Sequence, residues 1–277
     1  MKGLQCVHAE NGLRVSNDGF VTPCCFYDDE YKFKDKNGDF LHTSKNTVDE
    51  IMNSPDAVKL REDLRNGIKH PGCKRCWDEE EYINSSKRAR DTGYLYFQED
   101  AKVRYVELNL GNTCNLACRT CNVGASIKWA EENKMIYHKE MPDNEYKEHV
   151  RQFYKSYEND SIFWLEMDKS IEDIIQIDMY GGEPFLMKKQ WELLQKSIDE
   201  GHSKNQILHF NTNGTIFNEK YLNILKQFKR VNIGFSIDGV GERFEYIRHH
   251  GIWSDVHENI KKWLNFAKDN DNMEIML

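Results

Sequence analysis

No run of this chain comes near the ~18 consecutive apolar residues that a membrane-spanning helix needs. Its start, Met1-Lys2-Gly3-Leu4-Gln5-Cys6-Val7-His8, lacks the apolar core of a secretory signal. Both absences predict a cytoplasmic protein with no membrane partner. Positive charge is scarce as well. Lys and Arg number 38 against 46 Asp and Glu, a net charge of −8, so there is no basic footprint and no nucleic-acid partner is expected. Cysteine is missing altogether beyond Cys121: all 8 lie before residue 122. In a reducing compartment such a concentration points to metal ligation rather than to disulfides. At 277 residues and 39% hydrophobic, the chain can form one large or two modest globular domains.

From Val103 onward, strand-like and helix-like runs alternate, the pattern of a parallel α/β sheet or barrel. Strands are predicted at 103–110, 174–180, 207–211 and 231–237, with a last one starting at Met273. Between them, Trp191, Leu194 and Ile198 share a helical face ahead of Gly201, and Asn218 caps a helix carrying Tyr221, Leu222, Leu225 and Phe228. Ser254 is expected to cap the next, with Ile260, Trp263 and Leu264. Residues 122–170 exceed a minimal crossover and predict helices with an inserted loop that covers an active site. Their aromatics Trp129, Tyr137, Tyr154 and Trp164 read as packing residues. No helix follows the strand at Met273, so a core truncated at its C-terminus is expected.

The first 95 residues have a different character. Asp18-Gly19 supplies the positive φ angles of a tight hairpin turn between Leu13-Arg14-Val15 and Phe20-Val21-Thr22, and Cys24 and Cys25 follow. Thr47-Val48-Asp49-Glu50 is a capping box, Ser54-Pro55 starts another helix, and Gly67 ends it after Leu60 and Leu64. Pro71-Gly72-Cys73-Lys74-Arg75-Cys76 closes the cysteine set. The expected organisation is a small cysteine-rich α+β metal-binding module, 1–95, ahead of an α/β core, 101–277.

Cys114, Cys118 and Cys121 form a C-x3-C-x2-C run just after a predicted strand. Iron–sulfur clusters normally take four cysteines, so three thiolates leave one iron open to a small molecule. On spacing alone a zinc knuckle or part of a ferredoxin remains open. The run resembles the signature of the radical S-adenosylmethionine (SAM) superfamily. That resemblance implies a partial (β/α) barrel and a four-iron, four-sulfur (4Fe-4S) cluster whose open iron chelates SAM. It also implies reductive cleavage of SAM to a 5′-deoxyadenosyl radical that abstracts hydrogen from a substrate, with Cys114, Cys118 and Cys121 as the catalytic ligands.

Gly181-Gly182-Glu183-Pro184 follows a predicted strand and resembles the superfamily's GGEP motif, which implies that its backbone and the Glu183 side chain hold the SAM ammonium. Asn211-Thr212-Asn213-Gly214 and Ser236-Ile237-Asp238-Gly239 end the next two strands, at the edge where parallel barrels bind ligands. Asn213, Ser236 and Asp238 are accordingly expected at SAM or substrate, although short polar residues also serve turns. Arg248 resembles an arginine that pairs with the SAM carboxylate. Thr120 departs from the family, which often has an aromatic there to pack on adenine.

Cys6, Cys24, Cys73 and Cys76 supply four further thiolates, enough for a closed site of iron–sulfur or zinc. The order of cysteine, hairpin, Pro-Cys-Cys, capped helix and C-x2-C resembles the auxiliary-cluster modules called SPASM and twitch. That implies a second 4Fe-4S cluster, ligated by Cys24 rather than Cys25 because Cys24 follows the proline. Such modules usually follow the barrel, whereas here the order is permuted. The resemblance implies a peptide, protein or small-molecule substrate and an electron donor such as flavodoxin or ferredoxin. The rival reading is a non-catalytic iron–sulfur or zinc-binding protein, or a truncated remnant. Formation of 5′-deoxyadenosine separates the two.

Overall fold

The computed structural model describes residues 4–153 and 161–277. They pack as two units, Met1–Glu107 with Asp160–Ile175, and Leu108–Asn159 with Gln176–Leu277.

The first unit consists of short elements with strong local punctuation. α1 (Val7–Asn11) runs into β1 (Gly12–Val15), which pairs antiparallel with β2 (Val21–Thr22), Arg14 opposite Thr22 and Val15 opposite Val21. The connecting turn closes through the Ser16 N–H on the Phe20 carbonyl at 3.0 Å, and of the Asp18-Gly19 pair only Gly19 takes a positive φ, 84°. α2 (Val48–Met52) starts with the reciprocal capping box of Thr47 and Glu50, and α3 (Pro55–Arg65) with the Ser54 cap. A 3-10 turn, Pro71–Cys73, leads directly into α4 (Lys74–Ile83). Ser86 then caps α5 (Lys87–Tyr94) by accepting the Ala89 N–H. Leu13, Val15, Ile51 and Leu60 are buried to 1% exposure or less, and burying such side chains contributes about 1.5–3 kcal/mol each.

β3 (Tyr105–Asn109) carries the chain into the second unit. β4 (Ala117–Cys118), α6 (Ala130–Tyr137) and α7 (Asp143–Phe153) come next, while α8 (Ser161–Ser170) clusters with the first unit. The second unit continues through β5 (Gln176–Tyr180), α9 (Lys188–Asp199), β6 (Ile207–Thr212), α10 (Glu219–Leu225) and β7 (Arg230–Phe235). It ends with α11 (Glu242–Ile247), β8 (Arg248–His249), α12 (Trp253–Lys268) and β9 (Met273–Met276). β5, β6, β7 and β9 pair parallel in that order. Parallel pairing sets the carboxyl ends of β5, β6 and β7 along one edge, so the turns after them face the same way. Phe185, directly after the first of those turns, is 1% exposed and packs on Phe210 and Trp263 with ring centroids 5.4 and 5.5 Å apart.

Two expectations need correction. Ser254 does not cap α12: the cap position is two residues earlier, at Ile252, and the Glu245 carboxylate accepts the Trp253 N–H at 2.9 Å. A carboxylate brought by another helix has taken the role that sequence assigned to the local serine. Tyr137 is not a packing residue, being 73% exposed at the end of α6. Trp129 and Trp164 are half-buried, and Tyr154 lies outside the described residues. Among the described residues no helix is long and apolar enough to cross a membrane.

Candidate metal centres

In the second unit the cysteine run is held from two sides. β4 pairs antiparallel with β8, so Ala117 lies opposite His249 and Cys118 opposite Arg248. Next to that pairing the Arg119 N–H donates to the Ile247 carbonyl at 2.8 Å, and its guanidinium donates to the Tyr246 carbonyl at 2.9 Å. The Trp129 indole donates to the Cys118 carbonyl at 3.0 Å. These bonds satisfy the polar backbone of an irregular loop, which would otherwise lose free energy on burial.

The Cys118 thiol donates to Cys121. That bond holds Cys121 toward the thiolate and pushes Cys118 away from it. Arg248 Nη1, 3.6 Å from the Cys118 sulfur, favours the ionised form of both. Burial raises Cys114.

The Gly181–Pro184 turn is fastened to the residue before Cys114, the Glu183 N–H donating to the Thr113 carbonyl at 2.8 Å. Gly182 has φ 51°, and a Cβ there would collide with the same carbonyl oxygen. Only glycine combines this backbone conformation with this approach.

The Glu183 carboxylate is fully buried. It accepts the Thr212 hydroxyl at 2.8 Å, the Asn213 N–H at 2.8 Å and the Phe185 N–H at 3.1 Å, and burial pushes it up to about 7. Asn213 in turn donates to Asn115 at 2.9 Å, and its amide lies 3.8 Å from the Cys114 sulfur. Asp238, at φ 56°, pairs with Arg248 Nη2 at 2.7 Å. Ser236 joins through its backbone, its N–H donating to the Thr212 carbonyl at 2.9 Å.

Around the three cysteines the fold thus assembles the 181–184 turn, Asn213, Asp238 and Arg248. Two of these residues are disposed differently from expectation. Glu183 turns its carboxylate inward, onto donors of its own unit, and Arg248 already faces a carboxylate. No motif points to Thr113, Asn115 or Arg119, and Trp129 reads from sequence only as a packing residue. Apart from Asn115, they act through loop carbonyls, which no side-chain pattern announces.

In the first unit Cys6, Cys24, Cys73 and Cys76 line one pocket together with Tyr27, Lys87 and Arg88. Cys6 precedes α1, Cys24 follows β2, and Cys73 and Cys76 stand where the 3-10 turn gives way to α4, so three separate segments converge. Burial pushes Cys6 up to about 11 and raises the other three thiols as well. Cys25 is outside this lining, its N–H donating to Glu107 at 2.8 Å.

Four thiols enclosed together suit a thiophilic metal group. Among the described residues no three His, Cys, Asp or Glu side chains are disposed to hold a metal ion. Four sulfurs at ~2.3 Å from one zinc must converge tightly, whereas a four-iron cluster gives each cysteine its own iron.

A family model described as the radical SAM superfamily matches residues 108–273, more than half of the chain. The chain belongs to the radical SAM superfamily. Residues 6–77 match SPASM, described as an iron–sulfur cluster-binding domain. Members of the superfamily are enzymes whose cofactors are a 4Fe-4S cluster and SAM, and SPASM domains bind additional iron–sulfur clusters.

Among solved structures, the radical SAM chain is similar to native anSMEcpe with bound AdoMet and Cp18Cys peptide. Identity is 19%, coverage is 61% of this chain and 41% of that one, and the TM-score is 0.38. It is also similar to native anSMEcpe with bound AdoMet, with 20% identity, coverage of 61% and 42%, and a TM-score of 0.40. It therefore spans less than half the length of either. No curated protein matches it.

Proposed function

We propose that this radical SAM chain cleaves SAM reductively and abstracts hydrogen from a peptide or protein substrate, with a 1–95 auxiliary module serving a 101–277 core. The observation that carries the reading is the attachment of the Cys114–Cys121 loop to both the Gly181–Pro184 turn and the β8 strand of Arg248. A metal knuckle alone has no need of either. When bound, the reduced cluster and SAM supply the difficult chemistry, one-electron cleavage to a 5′-deoxyadenosyl radical.

The residues of the chain bind, orient and contain. Cys114, Cys118 and Cys121 are assigned as ligands of the SAM-binding cluster. The turn backbone at Gly181 to Pro184 is assigned to the SAM ammonium, with Glu183 bracing it from beneath. Arg248 is assigned to the SAM carboxylate, since the Asp238 partner that faces it is 41% exposed and open to exchange. Asn213, Ser236 and Asp238 complete the polar rim.

Cys6, Cys24, Cys73 and Cys76 are assigned to an auxiliary iron–sulfur cluster. The match of residues 6–77 to an iron–sulfur cluster-binding domain supports a cluster over a single zinc. A small reducing protein of the flavodoxin or ferredoxin kind fits as electron donor.

The test is anaerobic reconstitution with iron and sulfide, then dithionite and SAM, with 5′-deoxyadenosine measured. Formation of 5′-deoxyadenosine is expected. A fully loaded protein that forms none would return the chain to the non-catalytic class.

A further inference from the structure

Two cations line the four-cysteine pocket, and they are not equivalent. Lys87 lies between two carboxylates, 2.9 Å from Asp91 and 3.3 Å from Glu107, which absorb its field. Arg88 faces one carboxylate, Glu80, through Nε at 2.9 Å and Nη2 at 2.7 Å. Its Nη1 donates to the Gln5 carbonyl at 2.7 Å, and the guanidinium lies 5.0 Å from the centre of the Trp77 ring. All three bonds orient a side chain that is only 13% exposed. Arg88 stands in the first turn of α5 and lines the pocket beside Cys76 and Cys73.

Reduction adds an electron to a cluster already anionic on its thiolates, and nearby fixed charge and hydrogen bonds to sulfur set how readily that occurs. We propose that Arg88 is a positioning residue that raises the reduction potential of the auxiliary cluster, with Glu80 as the counter-charge that limits the effect. The proposal rests on the assignment of Cys6, Cys24, Cys73 and Cys76 as ligands. It concerns a one-electron couple in which the cluster gains and returns the same electron. Arg88 itself is neither ligand nor reactant.

The experiment is a redox titration followed by electron paramagnetic resonance on the reconstituted full chain carrying Cys114, Cys118 and Cys121→Ala, so that a single cluster is read. Arg88→Gln should lower the reduced-to-oxidised ratio at a fixed poise about tenfold, about 59 mV for one electron. Arg88→Lys should stay near the parent, because it keeps the charge while losing the fork. Glu80→Gln should move the ratio in the opposite direction, which a purely structural role for the pair would not produce.

Unchanged potentials, or shifts of the same sign in Arg88→Gln and Glu80→Gln, overturn the proposal. If Arg88→Gln fails to hold iron, Glu80→Gln alone decides: a rise supports the proposal and no rise overturns it. A parent that takes up no iron overturns instead the four-cysteine assignment.

Discussion

The two cysteine sets are solutions to different problems. In the second unit three cysteines come from one short run, and the fold's task is to hold that loop rigid from both flanks, against the Gly181–Pro184 turn and against β8. In the first unit four cysteines come from three stretches, and the fold's task is to gather and enclose them. Exposure does not separate the two sets: Cys118, Cys6 and Cys76 are buried, while Cys114, Cys121, Cys24 and Cys73 are partly exposed. A set drawn from one run is thus written locally and braced, whereas a gathered set depends on the folding of its whole unit.

The sharpest way to break this comparison is to remove one set at a time. Replacing Cys114, Cys118 and Cys121 with Ala should abolish 5′-deoxyadenosine formation and cut iron from roughly eight to roughly four per chain. Iron and sulfide analysis with product chromatography measures both. Loss of all iron would show that the two sites do not load independently. Replacing Cys73 and Cys76 should also remove roughly four irons, yet leave SAM cleavage in place. Abolished cleavage in that variant would argue that the first unit is needed for the radical step itself.

A second contrast concerns what supports each unit. The closed site depends on α5, and α5 is tied to α1 through Asp91, which is 4% exposed and accepts from His8 at 2.8 Å and from Lys87 at 2.9 Å. Burial alone would raise the Asp91 carboxyl, and these bonds more than reverse it. Asp91→Asn should destabilise the protein by about 3 kcal/mol, the usual cost of breaking a buried pair, read as a lower denaturant midpoint. An unchanged midpoint would mean that α5 is held by packing alone.

How much could be read in advance follows the same division. The Cys114–Cys121 spacing, the Gly181–Pro184 turn and the alternation from β5 to β9 are local patterns, and local patterns survive in a sequence. The capping box at Thr47 and Glu50 was legible for the same reason. Glu245 capping α12, Trp129 on the Cys118 carbonyl and Arg88 beside the four cysteines were not. Each is a contact between residues distant in the chain or through the backbone, and composition and periodicity carry no trace of it. The inward turn of Glu183 belongs here too: its partners Thr212 and Asn213 reach it only because β5 and β6 lie side by side.

The smallest expected effect tests that last point. If Glu183 braced nothing and met the SAM ammonium directly, its neighbour Thr212 would be silent. The structure instead has the Thr212 hydroxyl donating to Glu183 and accepting the Gly214 N–H at 3.2 Å. Thr212→Val keeps the shape, removes both bonds and leaves a buried carboxylate one donor short, a loss of about 1 kcal/mol. SAM affinity should fall about fivefold, since 1.4 kcal/mol corresponds to about tenfold, with iron content unchanged. Glu183→Gln should weaken SAM in the same sense and lower the thermal midpoint with it, because the amide nitrogen would face donors. Equilibrium titration with SAM and a thermal melt of each variant give the two readouts. Full SAM affinity in Thr212→Val alongside a large loss in Glu183→Gln would return Glu183 to direct contact with SAM. Weakened binding in both would assign it to the brace beneath the turn.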